Sequence, residues 1–319
     1  MRAQDPVEFP PEVEACYRKA RRLEWFTVFY ISSAAFFLYL TMGSSQAMRT
    51  SFFEDVISLV PAIAFLIGTA VARRGAHRDF PYGRHRATSI AHLTAALALC
   101  MMGGFLLFEA IMSYMTGAKA TIGGFNLFGH MVWGGWPMLA ALVYTGVPSV
   151  ILGRMKLKLA PKMHDKVLFA DAQMMKADWM AEGATAIGVI GTGFGLWWLD
   201  PLAAALVSAD ILKDGVGTLK TAVSDLIDRR PQKADNSGPE EVPAELERFL
   251  LDLDWIEDVK VRLRDEGHIF IGEAFVVPRA DTPDLVAKLE SAGEQAKSLN
   301  WRVQELVLVP VTKLPQEAA

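Results

Sequence analysis

Charged side chains are scarce in this sequence. Asp, Glu, Lys and Arg make up 21% of its 319 residues and apolar residues 52%, whereas an ordinary soluble domain carries about 25% charged and about 45–50% apolar residues. Mean hydropathy is +0.24. The apolar residues come in long blocks, which points to membrane spans rather than to one large soluble core. Cysteine is scarcer still. Cys16 lies in a polar stretch and Cys100 inside an apolar run, so no disulfide is expected. A basic surplus is absent too: the net charge of −4 argues against nucleic acid as a partner. No HExxH, Gly-x-Ser-x-Gly or paired-His motif occurs, which argues against an enzyme. Acidic and Pro-rich residues 5–14 precede the first apolar stretch, so no signal peptide is expected.

What the sequence does have is six apolar runs. A hydrocarbon core of about 30 Å takes roughly 20 apolar residues in a helix. Residues 25–42, 51–72, 87–114, 131–153, 167–197 and 201–223 meet that requirement, with Pro61 expected to kink the second run. Basic residues alternate between the connecting segments. Arg18, Lys19, Arg21 and Arg22 precede the first span. Arg73, Arg74, Arg78, Arg84 and Arg86 follow the second, and Arg154, Lys156, Lys158, Lys162 and Lys166 follow the fourth. The opposite loops hold only Arg49 and Lys119. The positive-inside rule then puts both termini in the cytoplasm, at the inner or plasma membrane if the source is bacterial.

Beyond residue 228 the character changes. Residues 229–238 read as a polar linker. A helix over 242–254, strands over 259–264 and 269–277 joined at Gly267, a helix capped by Thr282 and a strand over 303–311 follow. The expected fold is a polytopic α-helical membrane protein with six transmembrane helices and a C-terminal α+β ferredoxin-like domain (α-β-β-α-β) in the cytoplasm. The expected organisation is a tail over 1–24, a membrane domain over 25–228, the linker, an α+β dimerisation domain over 239–312 and a tail over 313–319.

The chemistry lies in the few charges inside the spans. A charged side chain near the bilayer centre costs about 2.5–3.5 kcal/mol on insertion scales. The fifth span nevertheless carries Asp171, Lys176, Asp178 and Glu182. At 100° per residue, Asp171, Met174, Asp178 and Glu182 share one stripe while Lys176 points elsewhere. On the second span Glu54 and Ser58 share a face, with Asp55 turned by about 100°. Oxygen ligands on two facing helices suit a divalent cation, and Glu54 and Ser58 of one helix are expected to meet Met174 and Asp178 of the other. Plainer roles compete: acids at headgroup level, Met174 as packing, and Lys176 as partner of a neighbouring acid. Asp210 and Asp214 share a face of the sixth span and suit pairing or a vestibule. His92 suits a hydrogen bond inside the bundle. His77, Asp79 and His85 form a loop that suits an accessory metal site or anionic headgroups.

The residues 170–178 (ADAQMMKAD), 80–87 (FPYGRHRA), 198–203 (WLDPLA) and 225–229 (DLIDR) resemble, over nearly the whole chain, the cation diffusion facilitator (cation efflux) family. That resemblance implies six helices, a homodimer, and export of a divalent cation in exchange for protons, with no tightly bound cofactor. It places the transport site at Glu54, Ser58, Met174 and Asp178. The sequence departs from the family pattern at Ser58, where Asp is usual, and at Met174, where His or Asp is usual. Zinc is the default cargo, with manganese, iron or cobalt open. Asp55, Asp171, Glu182, His77, Asp79, His85, Asp210 and Asp214 are the expected accessory metal or proton-path positions. The alternative is a non-transporting membrane interaction or regulatory protein with a degenerate site.

Overall fold

A computed structural model describes residues 9–41, 46–117, 124–127, 130–133, 135–196, 198–280 and 282–315. Lys119, expected in an outer loop, and Trp197, the expected end of the fifth span, lie outside these.

The chain begins with three long helices: α1 (Pro11–Thr41), α2 (Gln46–Ala72) and α3 (Arg86–Thr116). Pro11 opens α1 at a position where its missing N–H costs nothing, and Glu12 and Glu14 complement the helix dipole. Four turns of the expected N-terminal tail therefore belong to α1. Gly117 closes α3 in the left-handed conformation at φ +60. A short hairpin of β1 (Gly124–Leu127) and β2 (His130–Trp133) leads into α4 (Gly135–Met163), α5 (Lys166–Gly193) and α6 (Leu199–Leu226). Asp165 caps α5 by accepting from Leu168 N at 2.8 Å.

These helices run 27–31 residues, or about 40–47 Å at 1.5 Å per residue. Among the described residues, Phe52–Ala72 and Arg86–Thr116 are long and apolar enough by themselves to cross a membrane. The helices pack as α1 on α2, α2 on α3, α3 on α6, α4 on α5 and α5 on α6. The α3–α6 seam is the tightest. A Cβ on Gly103 would lie 2.5 Å from Leu212 N, and one on Gly215 would lie 2.7 Å from Cys100 Cα. Two glycines facing the opposite backbone let these helices touch main chain to main chain.

The sequence placed the end of the fourth span at residue 153 and its basic residues in a loop. The structure corrects this, because α4 continues to Met163. Leu152, Lys156, Leu159 and Met163 fall on one inward face. That spacing of four, three and four is a helical stripe that happens to include a lysine.

The C-terminal unit is α7 (Val242–Leu251), β3 (Ile256–Glu266), β4 (Ile269–Pro278), α8 (Leu285–Leu299) and β5 (Val303–Pro310). This is the expected α-β-β-α-β order. The sheet order is β3-β4-β5, with β3 and β4 antiparallel and β4 and β5 parallel. The parallel pairing is what the intervening α8 crossover permits. Gly267, at φ +83, turns β3 into β4. Leu246 and Leu250 of α7 and Ala292 and Ala296 of α8 cover one sheet face and pack with Phe270, Ala274 and Val276. Thr282 is not the cap of α8. Its hydroxyl donates to Arg279 O at 2.7 Å, and Asp284, at φ +51, precedes the helix.

Candidate metal site

The centre of the bundle brings α2 and α5 together at one hydrogen bond. Ser58 Oγ donates to Asp178 Oδ1 at 2.7 Å. Ser58 is 2% exposed and Asp178 is partly buried. The helical stripes that predicted the pairing are the reason: Glu54 and Ser58 are one turn apart on α2, and Asp178 and Glu182 one turn apart on α5. Glu54 has Asp178, Asp55 and Glu109 as charged neighbours, and Asp55 has Asp178 and Glu182. Glu182 lies against α4. The Thr145 hydroxyl donates to it, its Oε2 is buried without a partner, and a Cβ on Gly146 would collide with that oxygen. Gly146 thus makes room for the carboxylate.

The fourth expected ligand is placed differently. Met174 is fully buried in an apolar cluster with Leu99, Met102, Ala177 and Ile211. It packs α5 against α3 and α6, a usual role for a flexible thioether.

Two other charges of α5, Lys176 and Asp171, are paired. Lys176 donates to Asp214 at 2.9 Å and to Asp210 at 3.3 Å, joining α5 to α6. One turn away, Thr218 donates to Gln173 at 2.8 Å across the same seam. Asp171 lies about two turns from Asp178 on α5 and has a partner of its own. It is sealed against Lys156 of α4, which also donates to Glu24 of α1 at 3.0 Å. All three side chains are 0% exposed. The sequence did not single out Glu24 or Lys156. Their signal was the apolar stripe around Lys156. Among the described residues no Lys or Arg pairs with Glu54, Asp55, Asp178 or Glu182.

In the loop between α2 and α3, His77 Nδ1 lies 3.6 Å from Asp79 Oδ2, with both side chains exposed. His85 stands apart at the start of α3, and burial lowers its pKa. Among the described residues no group of three or more His, Cys, Asp or Glu has metal-holding geometry. The expected accessory site therefore reduces to one His–Asp contact.

A second polar cluster joins the bundle to the sheet domain. Lys166 donates to Asp225 of α6 at 2.7 Å and to Asp265 of β3 at 2.8 Å. His268 meets Asp165 at 2.7 Å. His164 bridges Asp265 at 3.2 Å and Glu240 at 3.0 Å. Arg302 holds Glu240 from the other side at 2.7 Å. Burial alone would raise both carboxylic acids, but hydrogen bonds from His164, with the Arg302 and Lys166 charges, bring Glu240 and Asp265 each down to about 2. Burial lowers His164, yet its two carboxylate bonds outweigh that and raise its pKa. A cavity of about 10 Å³, room for one water, lies among Thr88, His92, Lys166 and His268. His92 is buried at its wall.

Residues 25–227 match the family model described as the cation efflux transmembrane domain. The manganese efflux system protein MneS of Bacillus subtilis is 27% identical over 186 residues, which are 58% of this chain and 59% of that protein. The uncharacterized transporter YdbO of the same organism is 27% identical over 58% of this chain and 59% of its own length. The manganese efflux system protein MneP, also of Bacillus subtilis, is 24% identical over 71% of this chain and 72% of its own length. The match thus covers less than two thirds of the length of MneS and YdbO.

Proposed function

Because the chain belongs to the cation efflux family, we propose that it is a six-span transporter that exports a divalent cation, preferably Mn²⁺, from the cytoplasm in exchange for protons. The observation that carries this proposal is the Ser58–Asp178 hydrogen bond between α2 and α5, set among Glu54, Asp55 and Glu182. These are oxygen donors without a basic partner among the described residues. Hard oxygen donors suit Mn²⁺ better than the soft or imidazole-rich sets that favour zinc. Met174 adds no softness, because it packs in an apolar cluster. Two relatives bear manganese efflux in their names, which supports moving the cargo from the zinc expected from sequence to manganese.

Binding needs ionised carboxylates, so a cation arriving at Asp178 displaces protons. Ser58 loses its hydrogen-bond acceptor to the metal and can turn a lone pair toward it. Glu182, one turn further along α5, offers the next oxygen on the way out. Reprotonation of Asp178 and Glu182 from the far side then expels the cation. In this scheme both termini face the cytoplasm, and the working unit is a homodimer joined through the sheet domain.

The test is uptake of Mn²⁺, Zn²⁺ and Co²⁺ into vesicles containing the purified protein, with internal pH recorded. Mn²⁺ uptake coupled to proton movement is expected, and Asp178→Asn should abolish both. Wild-type transport by Asp178→Asn would remove Asp178 from the site. No transport of any of these cations by the unaltered protein would leave the non-transporting alternative.

A further inference from the structure

The Glu24–Lys156–Asp171 triad has a position as well as a charge balance. The helix α5 leaves the sheet-domain end of the bundle at Lys166, which is bonded to Asp265. Asp171, Asp178 and Glu182 follow at about 7.5, 18 and 24 Å along it, at 1.5 Å per residue. Asp171 lies seven residues before Asp178, about two turns, on the same helix face. The triad therefore sits between the sheet domain and the Ser58–Asp178 pair. Exposure changes sharply there. Glu24, Lys156, Asp171 and Thr27 are 0% exposed. Glu54, Asp55, Asp178 and Glu182 are all partly exposed. The acids around Asp178 thus keep some exposure, whereas the triad about two turns nearer the sheet domain has none.

The seal is chemically unusual. Two carboxyl groups, those of Glu24 and Asp171, meet one ammonium group. Each keeps a buried oxygen without a partner, Glu24 Oε1 and Asp171 Oδ1, and so does Thr27, about one turn after Glu24 on α1. A purely structural clamp would need one acid for one lysine. A second acid and spare oxygens are what a divalent cation would use.

We propose that Lys156 is a tethered cation that closes the metal path on the sheet-domain side, standing where Glu24 and Asp171 bind an incoming divalent cation before it reaches Asp178. This rests on the export function proposed above. Metal and lysine compete for the same two carboxylates. Metal arrival releases Lys156, and departure of the metal toward Asp178 lets it return. Opening is thereby tied to the presence of cargo, and α1, α4 and α5, which the triad joins, are freed together.

The experiment uses the full chain with Cys16 and Cys100 replaced by serine and Thr27→Cys as reporter. In detergent, a small thiol reagent should label this buried position slowly. Mn²⁺ at transport concentrations should accelerate labelling, and Lys156→Gln should accelerate it without metal by about tenfold or more, the equivalent of losing one charge-assisted contact. Lys156→Arg should restore slow, Mn²⁺-responsive labelling. Glu24→Gln leaves a neutral Lys156–Asp171 pair and should fold even if Lys156→Gln does not. It should stay slow to label while half-saturating Mn²⁺ for uptake rises about tenfold. A clamp with no gating role gives Mn²⁺-independent labelling and unchanged half-saturation in Glu24→Gln, and either result overturns the proposal. If the unaltered protein takes up no cation at all, the export function fails, whereas labelling in Lys156→Gln and Lys156→Arg still decides whether Lys156 seals this side.

Discussion

His164→Gln tests how the bundle and the sheet domain hold each other. His164 has two buried carboxylate partners, Asp265 at 3.2 Å and Glu240 at 3.0 Å. Glu240 sits at about 2 instead of 4.5. A shift of about 2.5 units at 1.36 kcal/mol each is about 3 kcal/mol of stability at neutral pH, which His164 and Arg302 supply jointly. Asp265, also at about 2, shares His164, so its contribution does not simply add. Because both carboxylic acids are depressed, their share is complete above about pH 4.5 and is lost as pH falls through about 2. The histidine is raised, so its share is complete below about pH 6.5 and is lost as pH rises through the higher folded value. Docking is therefore strongest between about pH 4.5 and about pH 6.5.

Glutamine keeps a donor but removes the titratable charge. His164→Gln should cost about 2 kcal/mol near pH 5.5 and progressively less toward about pH 9, as the raised native imidazole loses its proton. Thermal unfolding of the solubilised protein across that range reads this directly. The unaltered protein should melt lower as pH rises, and the variant should show little slope. An equal deficit at both ends of the range would mean that His164 acts by packing on Phe270, with ring centroids 5.3 Å apart, rather than by charge.

Three further outcomes follow from packing. Gly215→Val would drive side-chain atoms into the Cα of Cys100 and should cost about 1–3 kcal/mol or part α3 from α6, read as a fall in melting temperature. Gly146→Ala places a methyl group against Glu182 Oε2. It should weaken Mn²⁺ uptake while the fold melts normally, and unchanged uptake would place Glu182 outside the path. Leu246→Ala empties a site that is 1% exposed in the sheet-domain core and should cost that domain about 2–5 kcal/mol, measured by denaturant unfolding.

The helical stripes of α2 and α5 made Ser58 and Asp178 neighbours before any coordinates, because a turn of four residues repeats side-chain direction and few polar atoms compete inside apolar spans. The α-β-β-α-β order was equally legible, since the strands alternate and Gly267 marks their turn. Three things were not. Lys156 looked like a loop cation because hydropathy falls where α4 leaves the apolar run, whereas its burial depends on Glu24, 132 residues away. Met174 fell on the right stripe, but a stripe has width, and its thioether reaches the apolar neighbours instead. The junction of His164, Asp165 and Lys166 with Asp265 and His268 joins segments about a hundred residues apart, which no local pattern encodes.

The charges themselves separate structure from transport. Two lysines of the bundle are matched to acids on other helices: Lys156 to Glu24 and Asp171, and Lys176 to Asp210 and Asp214. Four acids with no Lys or Arg partner among the described residues, Glu54, Asp55, Asp178 and Glu182, lie where α2, α4 and α5 meet. In a low-dielectric interior, like charges this close repel strongly, and a protein selected for stability alone would have matched them or lost them. The proposed export function gives them a partner that comes and goes. In that proposal a divalent cation and the protons that replace it satisfy the four acids in turn. The paired acids stay paired, except at the triad, where a second carboxylate on Lys156 leaves a site that cargo can contest.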